Sequence, residues 1–151
     1  MSTVVELKVT VAGPEAAPQV HALTQLAFAG YGSLQPPSGA LSETEAQVRE
    51  DLALHGGGLA RVRSAPVAAV RFRFEGHQAW VRRLAVHPEW QRQGIGSRVM
   101  AWAERDLRRR GHRQVRLGVR KQLPANLSFY EALGYWVAED HGYWLELVKT
   151  L

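Results

Sequence analysis

Apolar and polar positions change period several times along this 151-residue chain, and the changes mark its elements. Residues 4–11 alternate enough to predict a first strand, which Gly13-Pro14 ends. From 14 to about 28 the chain is rich in Ala, Leu and Gln, with Val20, Leu23, Leu26 and Ala27 at helical spacing and Gly30 beyond as a stop signal. Residues 31–40 hold Gly32, Pro36, Pro37 and Gly39 and read as a loop. Ser42 with Glu45 three positions on has the form of a capping box, so a second helix is expected to run to about His55, where Gly56-Gly57-Gly58 breaks it. Three strands follow, over 59–63, 67–74 and 78–86. Their separators, Ser64-Ala65-Pro66 and Glu75-Gly76-His77, are short and turn-forming, which makes antiparallel hairpins the economical connection.

After Pro88 the pattern becomes helical. Ile95, Val99, Ala103 and Leu107 recur every four residues, opposed by Arg98, Glu104, Arg105 and Arg108, and predict a half-buried helix over 95–110 that Gly111 closes. A fifth strand is expected over 115–119, a short helix over 125–133 ending at Gly134, and a terminal hairpin from 135–138 and 143–148, separated by Glu139-Asp140-His141-Gly142. The chain contains no internal repeat or low-complexity tract. Its length fits one α/β (α+β) domain over 1–151 with a single core, since domains commonly run to roughly 100–200 residues.

Apolar residues make up 46% and charged residues 22%, an ordinary globular composition far from that of a disordered chain. Cysteine is absent, which excludes disulfides, thiolate catalysis and cysteine-ligated metal. His21, His55, His77, His87, His112 and His141 are scattered without metal-ligand spacing, so no metal is expected. The first residues lack a basic region followed by an apolar core, and no run approaches the ~18 apolar residues of a membrane helix, so a cytoplasmic location without a membrane partner is expected. A formal net charge of +5 favours anionic ligands. It also raises a basic nucleic-acid-binding module as a rival, which would lose affinity steeply with salt. The run Arg108-Arg109-Arg110 is adequately explained by solvation and by the negative end of its helix.

The most telling stretch is Gln91-Arg92-Gln93-Gly94-Ile95-Gly96, between the strand-like run ending at Val86 and the helix from Ile95. A loop at the mouth of a helix points unpaired N–H groups outward, and the helix dipole adds about half a positive charge there. A diphosphate suits such a place. Gly94 and Gly96 let the backbone approach phosphates closely, and Arg92 adds charge-assisted contacts. A dinucleotide fingerprint would need a third glycine near Val99, and an NTPase phosphate loop would need Gly-Lys-Ser/Thr, so neither fits.

Two motifs in this order resemble the GNAT family of acyl-CoA-dependent N-acyltransferases. The first is Arg83-Leu84-Ala85-Val86-His87-Pro88 running into Gln91-Arg92-Gln93-Gly94-Ile95-Gly96. The second is Asn126-Leu127-Ser128-Phe129-Tyr130-Glu131-Ala132-Leu133-Gly134-Tyr135, similar to a family helix that carries a tyrosine before a Leu-Gly-aromatic ending. The resemblance covers about residues 59–147. It implies the GNAT fold, a mixed and mostly antiparallel central sheet of about seven strands flanked by about four helices. It also implies acetyl-CoA as co-substrate. Carried over position by position, the diphosphate falls to Gln91, Arg92, Gln93, Gly94, Ile95, Gly96 and Ser97. The pantetheine arm runs along Leu84, Ala85 and Val86, bonding the main chain of Leu84 and Val86 as an added strand would. In the family a bulge parts the fourth and fifth strands and a backbone N–H meets the thioester oxygen.

Transfer to an amine needs a neutral amine, a stabilised oxyanion and a proton for the leaving thiolate. The resemblance assigns that proton to Tyr130, whose unperturbed phenol, with a pKa of ~10, is protonated at neutral pH. No base is assigned. Some family members place a Glu early in the fifth strand, where this chain has Gly118. Glu139, Asp140 and His141 stand in the terminal hairpin turn, where charged tips are as a rule solvated; a water relay or an amine arriving deprotonated would serve equally. Many members carry an Asn seven residues before the tyrosine, where Leu123 stands. Asn126, four before it, reads either as a contact to the coenzyme arm or as a capping or first-turn polar group. Trp136 or Trp144 is a candidate lining residue for the acceptor. The expected acceptor is a primary amine of a small molecule, peptide or protein. A homodimer is left open, and a coenzyme-binding sensor without turnover is the alternative that the missing Glu suggests.

Overall fold

A computed structural model describes residues 6–151. Seven strands form one sheet in the order β1-β2-β3-β4-β5-β7-β6: β1 Leu7–Ala12, β2 Gly57–Val62, β3 Ala65–Glu75, β4 Gln78–Val86, β5 Gln114–Arg120, β6 Trp136–Asp140 and β7 Trp144–Thr150. Four helices accompany them: α1 Ala17–Phe28, α2 Glu45–His55, α3 Ile95–Arg109 and α4 Pro124–Ala132. The β1–β2, β2–β3, β5–β7 and β6–β7 ladders are antiparallel and β4–β5 is parallel, so the sheet is mixed as expected. Val4 and Val5, assigned from sequence to the first strand, lie outside the described residues. The chain divides into two compact units, one built from residues up to Arg71 with Arg83–Ala103, the other from Phe72–Arg82 with Glu104–Leu151.

In the first unit, Val20 and Leu23 of α1 and Val48 and Leu52 of α2 pack with Ala12, Leu59 and Ala69 into one apolar cluster. Helix α2 starts at a capping box, but the box is Thr44 with Gln47 and not Ser42 with Glu45. Ser42 instead closes a 3-10 turn by donating to the carbonyl of Gly39. Gly56, at φ 73°, ends α2, while Gly57 and Gly58 already belong to β2. Both must be glycine for packing reasons: a Cβ at 57 would meet the Val70 main chain, and one at 58 would strike the ring of Trp102.

An ionic knot ties the same unit together. Arg71, fully buried on β3, donates Nη2 and Nη1 to the two carboxylate oxygens of Glu43 at 2.6 and 3.1 Å, and Nη1 also donates to Asp51 at 3.2 Å. Arg83 of β4 adds its Nε at 3.4 Å from Glu43. A buried guanidinium is tolerable because two carboxylates compensate it, and the bidentate fork sets the geometry between the start of α2 and β3.

The second unit packs Val115, Leu117 and Val119 of β5 with Leu147 of β7 inward. Glu104, assigned from sequence to the polar face of α3, is in fact only 7% exposed. It accepts a hydrogen bond from Tyr135 Oη at 2.8 Å and from Lys149 Nζ at 2.7 Å. Arg110 is also more than a solvated charge, since its guanidinium lies over the rings of Phe72 and Phe74. Helix α3 ends in a Schellman motif: the N–H of Gly111, at φ 91°, donates to Arg108 and that of His112 to Leu107.

Arg71→Ala leaves two carboxylates without their buried cation, and a loss of about 3–5 kcal/mol in unfolding free energy is expected from urea titration. A loss below about 1 kcal/mol would show that the knot contributes no more than a surface pair.

Candidate active site

In the loop before α3, Arg92 and Gly94 both take left-handed backbone conformations, at φ 64° and 76°. The first i→i−4 bond of α3 runs from the N–H of Arg98 to the carbonyl of Gly94 at 3.2 Å. The N–H groups of Ile95, Gly96 and Ser97 therefore precede that ladder and are available to an anion. The space where a Gly94 side chain would begin holds no protein atom within 4 Å, so the loop is open at that point. Upstream, Pro88–Trp90 forms a 3-10 turn capped by His87, whose Nδ1 accepts from the N–H of Glu89. Gln91 donates its side-chain amide to the carbonyl of Val86 at 3.1 Å, and Gln93 reaches the carbonyl of Glu89 at 3.5 Å. These two glutamines brace the loop, a role that the phosphate reading of the sequence did not give them.

Strand β4 carries a break in its regular backbone at Arg83, which adopts φ 55°. A non-glycine residue in this region costs of order 1–3 kcal/mol and persists where its surroundings hold it. The Arg83 side chain runs to Glu43, its Nε lying 3.4 Å from the carboxylate. Beyond the break, Ala85 is fully buried while Leu84 and Val86 are half-buried. The pairing of β4 with β5 registers Trp80 opposite Arg116.

In the second unit, Tyr130 sits in the last turn of α4. Its position is fixed by how the helix ends: the N–H of Gly134, at φ 97°, donates to Glu131, and the N–H of Tyr135 donates to the Tyr130 carbonyl at 3.1 Å. That is a second Schellman motif, and it explains the Leu-Gly-aromatic sequence physically. Glycine supplies the left-handed residue, and the aromatic one is buried as an anchor. The Tyr130 ring stands edge-on to Phe129 at 4.9 Å and to Tyr135 at 5.7 Å. Burial, followed by the neighbouring Glu104 carboxylate, pushes the Tyr135 phenol far above its ordinary range. Asn126 is in the first turn of α4, not at its cap, which is Leu123. Among the described residues its side chain has no protein partner.

Gly118 faces away from the Val115–Leu117–Val119 side of β5 and registers opposite Glu146 of β7. A Cβ there would lie 3.0 Å from the Trp144 ring. Glu146 was not singled out from sequence, nor was its contact with His141, five residues earlier, at 2.9 Å. Asp140 takes part separately: it pairs with Lys121 at 2.7 Å and accepts the N–H of Gly142, and the Lys121 contact leads the causes that lower its carboxyl below the usual range.

A model of the acetyltransferase (GNAT) family matches residues 20–135. The chain belongs to that family. Solved structures share its fold. A PaiA N-acetyltransferase from Thermoplasma acidophilum, determined in complex with coenzyme A, aligns with a TM-score of 0.85 at 18% identity over 97% of this chain and 99% of its own. An acetyltransferase from Thermus thermophilus gives 0.79 at 21% identity over 99% and 100%. The ribosomal-protein-S18-alanine N-acetyltransferase of Escherichia coli gives 0.78 at 18% over 96% and 94%. No helix among the described residues is long and apolar enough to cross a membrane.

Tyr135 yields a pH prediction. Its folded pKa lies above the unfolded value of ~10, so its contribution to stability is complete below pH ~10 and is lost as pH rises from there toward the folded value. Tyr135→Phe should cost about 1.5–3 kcal/mol at neutral pH, the worth of a hydrogen bond to a charged group, and should flatten the decline in stability above pH ~10. Parallel alkaline declines in both proteins would contradict this account.

Proposed function

We propose that the chain is an N-acetyltransferase that moves the acetyl group of acetyl-CoA directly onto a primary amine, its two compact units being parts of one such domain. The single observation that carries the reading is the loop ahead of α3, with left-handed Arg92 and Gly94 and the N–H groups of Ile95, Gly96 and Ser97 ahead of the helical ladder. Gln91, Arg92, Gln93, Gly94, Ile95, Gly96 and Ser97 take the coenzyme diphosphate, chiefly through main-chain donors. The family to which the chain belongs, and the coenzyme A held by the Thermoplasma relative, support the assignment.

Leu84, Ala85 and Val86 take the pantetheine arm by main-chain bonding. The left-handed backbone at Arg83 supports this role, because it stands immediately before those residues within the strand. The Val86 carbonyl accepts the Gln91 amide, which ties the diphosphate loop to this strand. Asn126, with an uncommitted side chain in the first turn of α4, supplies a polar contact to the same arm. The amine attacks the thioester carbonyl carbon, a backbone N–H stabilises the oxyanion, and Tyr130 protonates the departing thiolate. Direct attack agrees with a chain that holds no cysteine to carry an acyl group.

Thiol release measured with amino acids, polyamines, aminoglycosides and short peptides is expected to reveal turnover with at least one class of amine. Saturable acetyl-CoA binding without turnover on any of them would mark a sensor instead. With the best amine, Tyr130→Phe should keep its acetyl-CoA affinity and lose about 10²-fold or more in kcat; an unchanged kcat would remove Tyr130 from the mechanism. Gly94→Val forces a branched side chain into the left-handed region, a strain of roughly 1–3 kcal/mol that should raise the acetyl-CoA Kd about tenfold in calorimetry. An unaltered Kd would place the diphosphate elsewhere.

A further inference from the structure

The outer face of β5 and β7 carries a second arrangement, contained within the second unit. Glu146 is only 8% exposed, so its carboxylate needs compensation. Arg116 Nη1 donates to its Oε2 at 2.6 Å, and His141 Nε2 lies 2.9 Å from its Oε1. On the neighbouring ladder a register shift between Val137 and Glu139 sets Glu139 directly opposite Glu146. Carboxylates so paired repel, and His141 Nε2 stands close to both, 3.6 Å from Glu139 Oε2.

The imidazole is also fixed in plane. It stacks on the Trp144 indole at a centroid distance of 4.1 Å and an interplanar angle of 9°. Trp144 can lie there because Gly118 has no side chain to displace it. The hairpin tip is ordered by its own bonds: the His141 N–H donates to the Trp144 carbonyl at 2.9 Å, and Lys121 holds Asp140. With Nε2–H donated to Glu146, the Nδ1 lone pair is left without a protein partner among the described residues, on a side chain 30% exposed.

We propose that His141 Nδ1 is the proton acceptor for the incoming amine, with Glu146 as its positioning residue and Trp144 as its platform. The inference rests on the acetyl transfer proposed above. A primary ammonium gives one proton to Nδ1, and the resulting imidazolium is stabilised by Glu146 and by the indole face. The freed nitrogen lone pair forms the C–N bond to the acetyl carbon. Collapse of the tetrahedral adduct breaks the C–S bond, and the thiolate takes the Tyr130 proton. The proton that leaves the new amide nitrogen restores Tyr130, and His141 returns its own to solvent. The charged groups that bear on the imidazole are Glu139 and Asp140 on β6, Glu146 on β7, Arg116 through Glu146, and Lys121 through Asp140.

Glu139, His141 and Glu146 also bring three donor atoms within 4.8 Å of one another, a spacing that a divalent cation could use. Arg116 already occupies one oxygen of Glu146, which favours the proton over the metal.

The test compares wild type, His141→Gln and Glu146→Gln using the aliphatic amine of the panel that wild type acetylates fastest, and using hydroxylamine, which arrives as the free base. For His141→Gln, kcat/KM should fall about 10²-fold with the aliphatic amine, stay within about threefold with hydroxylamine, and lose the acid limb of its pH profile. Glu146→Gln, which loosens the imidazole without removing it, should lower kcat/KM less than His141→Gln with the aliphatic amine and stay within about threefold with hydroxylamine. Equal losses with both nucleophiles, or an unchanged profile in folded His141→Gln, would overturn the role of His141 while leaving acetyl transfer intact. Wild type inert toward every amine would overturn the transfer reading itself. Activity lost in EDTA and restored by Zn²⁺ would give the cluster to a cation instead.

Discussion

The constraint on which this protein depends is that a helix cannot satisfy its own first N–H groups. At α3 the problem is left open deliberately by the backbone: Arg92 and Gly94 turn into the left-handed region, and the first helical bond waits until Arg98. A carboxylate or hydroxyl cap would close such an end, as Thr44 does at α2. At α3 the first donors are the ones we propose for the coenzyme diphosphate, and Gln91 and Gln93 tie the loop back to Val86 and Glu89.

Irregular backbone has to be stabilised by something regular. Each unit has buried ionic groups next to such backbone. In the first, Arg71 draws Glu43 and Asp51 together, and Glu43 lies beside Arg83, the left-handed residue within β4. In the second, Glu104 receives Tyr135 and Lys149, and Tyr135 is the residue whose N–H closes the helix carrying Tyr130. The His141 arrangement is likewise set by neighbours: Gly118 makes room for Trp144, which stacks on the imidazole that Glu146 contacts.

Much of this was legible in the sequence where the cause is local. Strand β4 falls on 78–86 as its apolar run predicts, and α3 begins at Ile95 as its four-residue repeat and glycine loop predict. Gly111 and Gly134 read correctly as helix stops because a left-handed terminal residue is a local demand. The capping box slipped by two positions because Ser42-x-x-Glu45 and Thr44-x-x-Gln47 both have the required form, and only the second has a helix behind it. What stayed hidden was long-range. Glu43 and Arg71 are 28 residues apart, Arg116 and Glu146 are 30, and Glu104 and Lys149 are 45, so no periodicity connects them. The β6 register shift that turns Glu139 toward Glu146 is invisible for the same reason.

The account stands or falls on what fills the turn before α3. The most direct measurement is a crystal structure of the wild-type protein grown with coenzyme A. Diphosphate oxygens within hydrogen-bond distance of the Ile95, Gly96 and Ser97 amides are the predicted result. An empty turn at saturating coenzyme, or a coenzyme seated away from those amides, would contradict it.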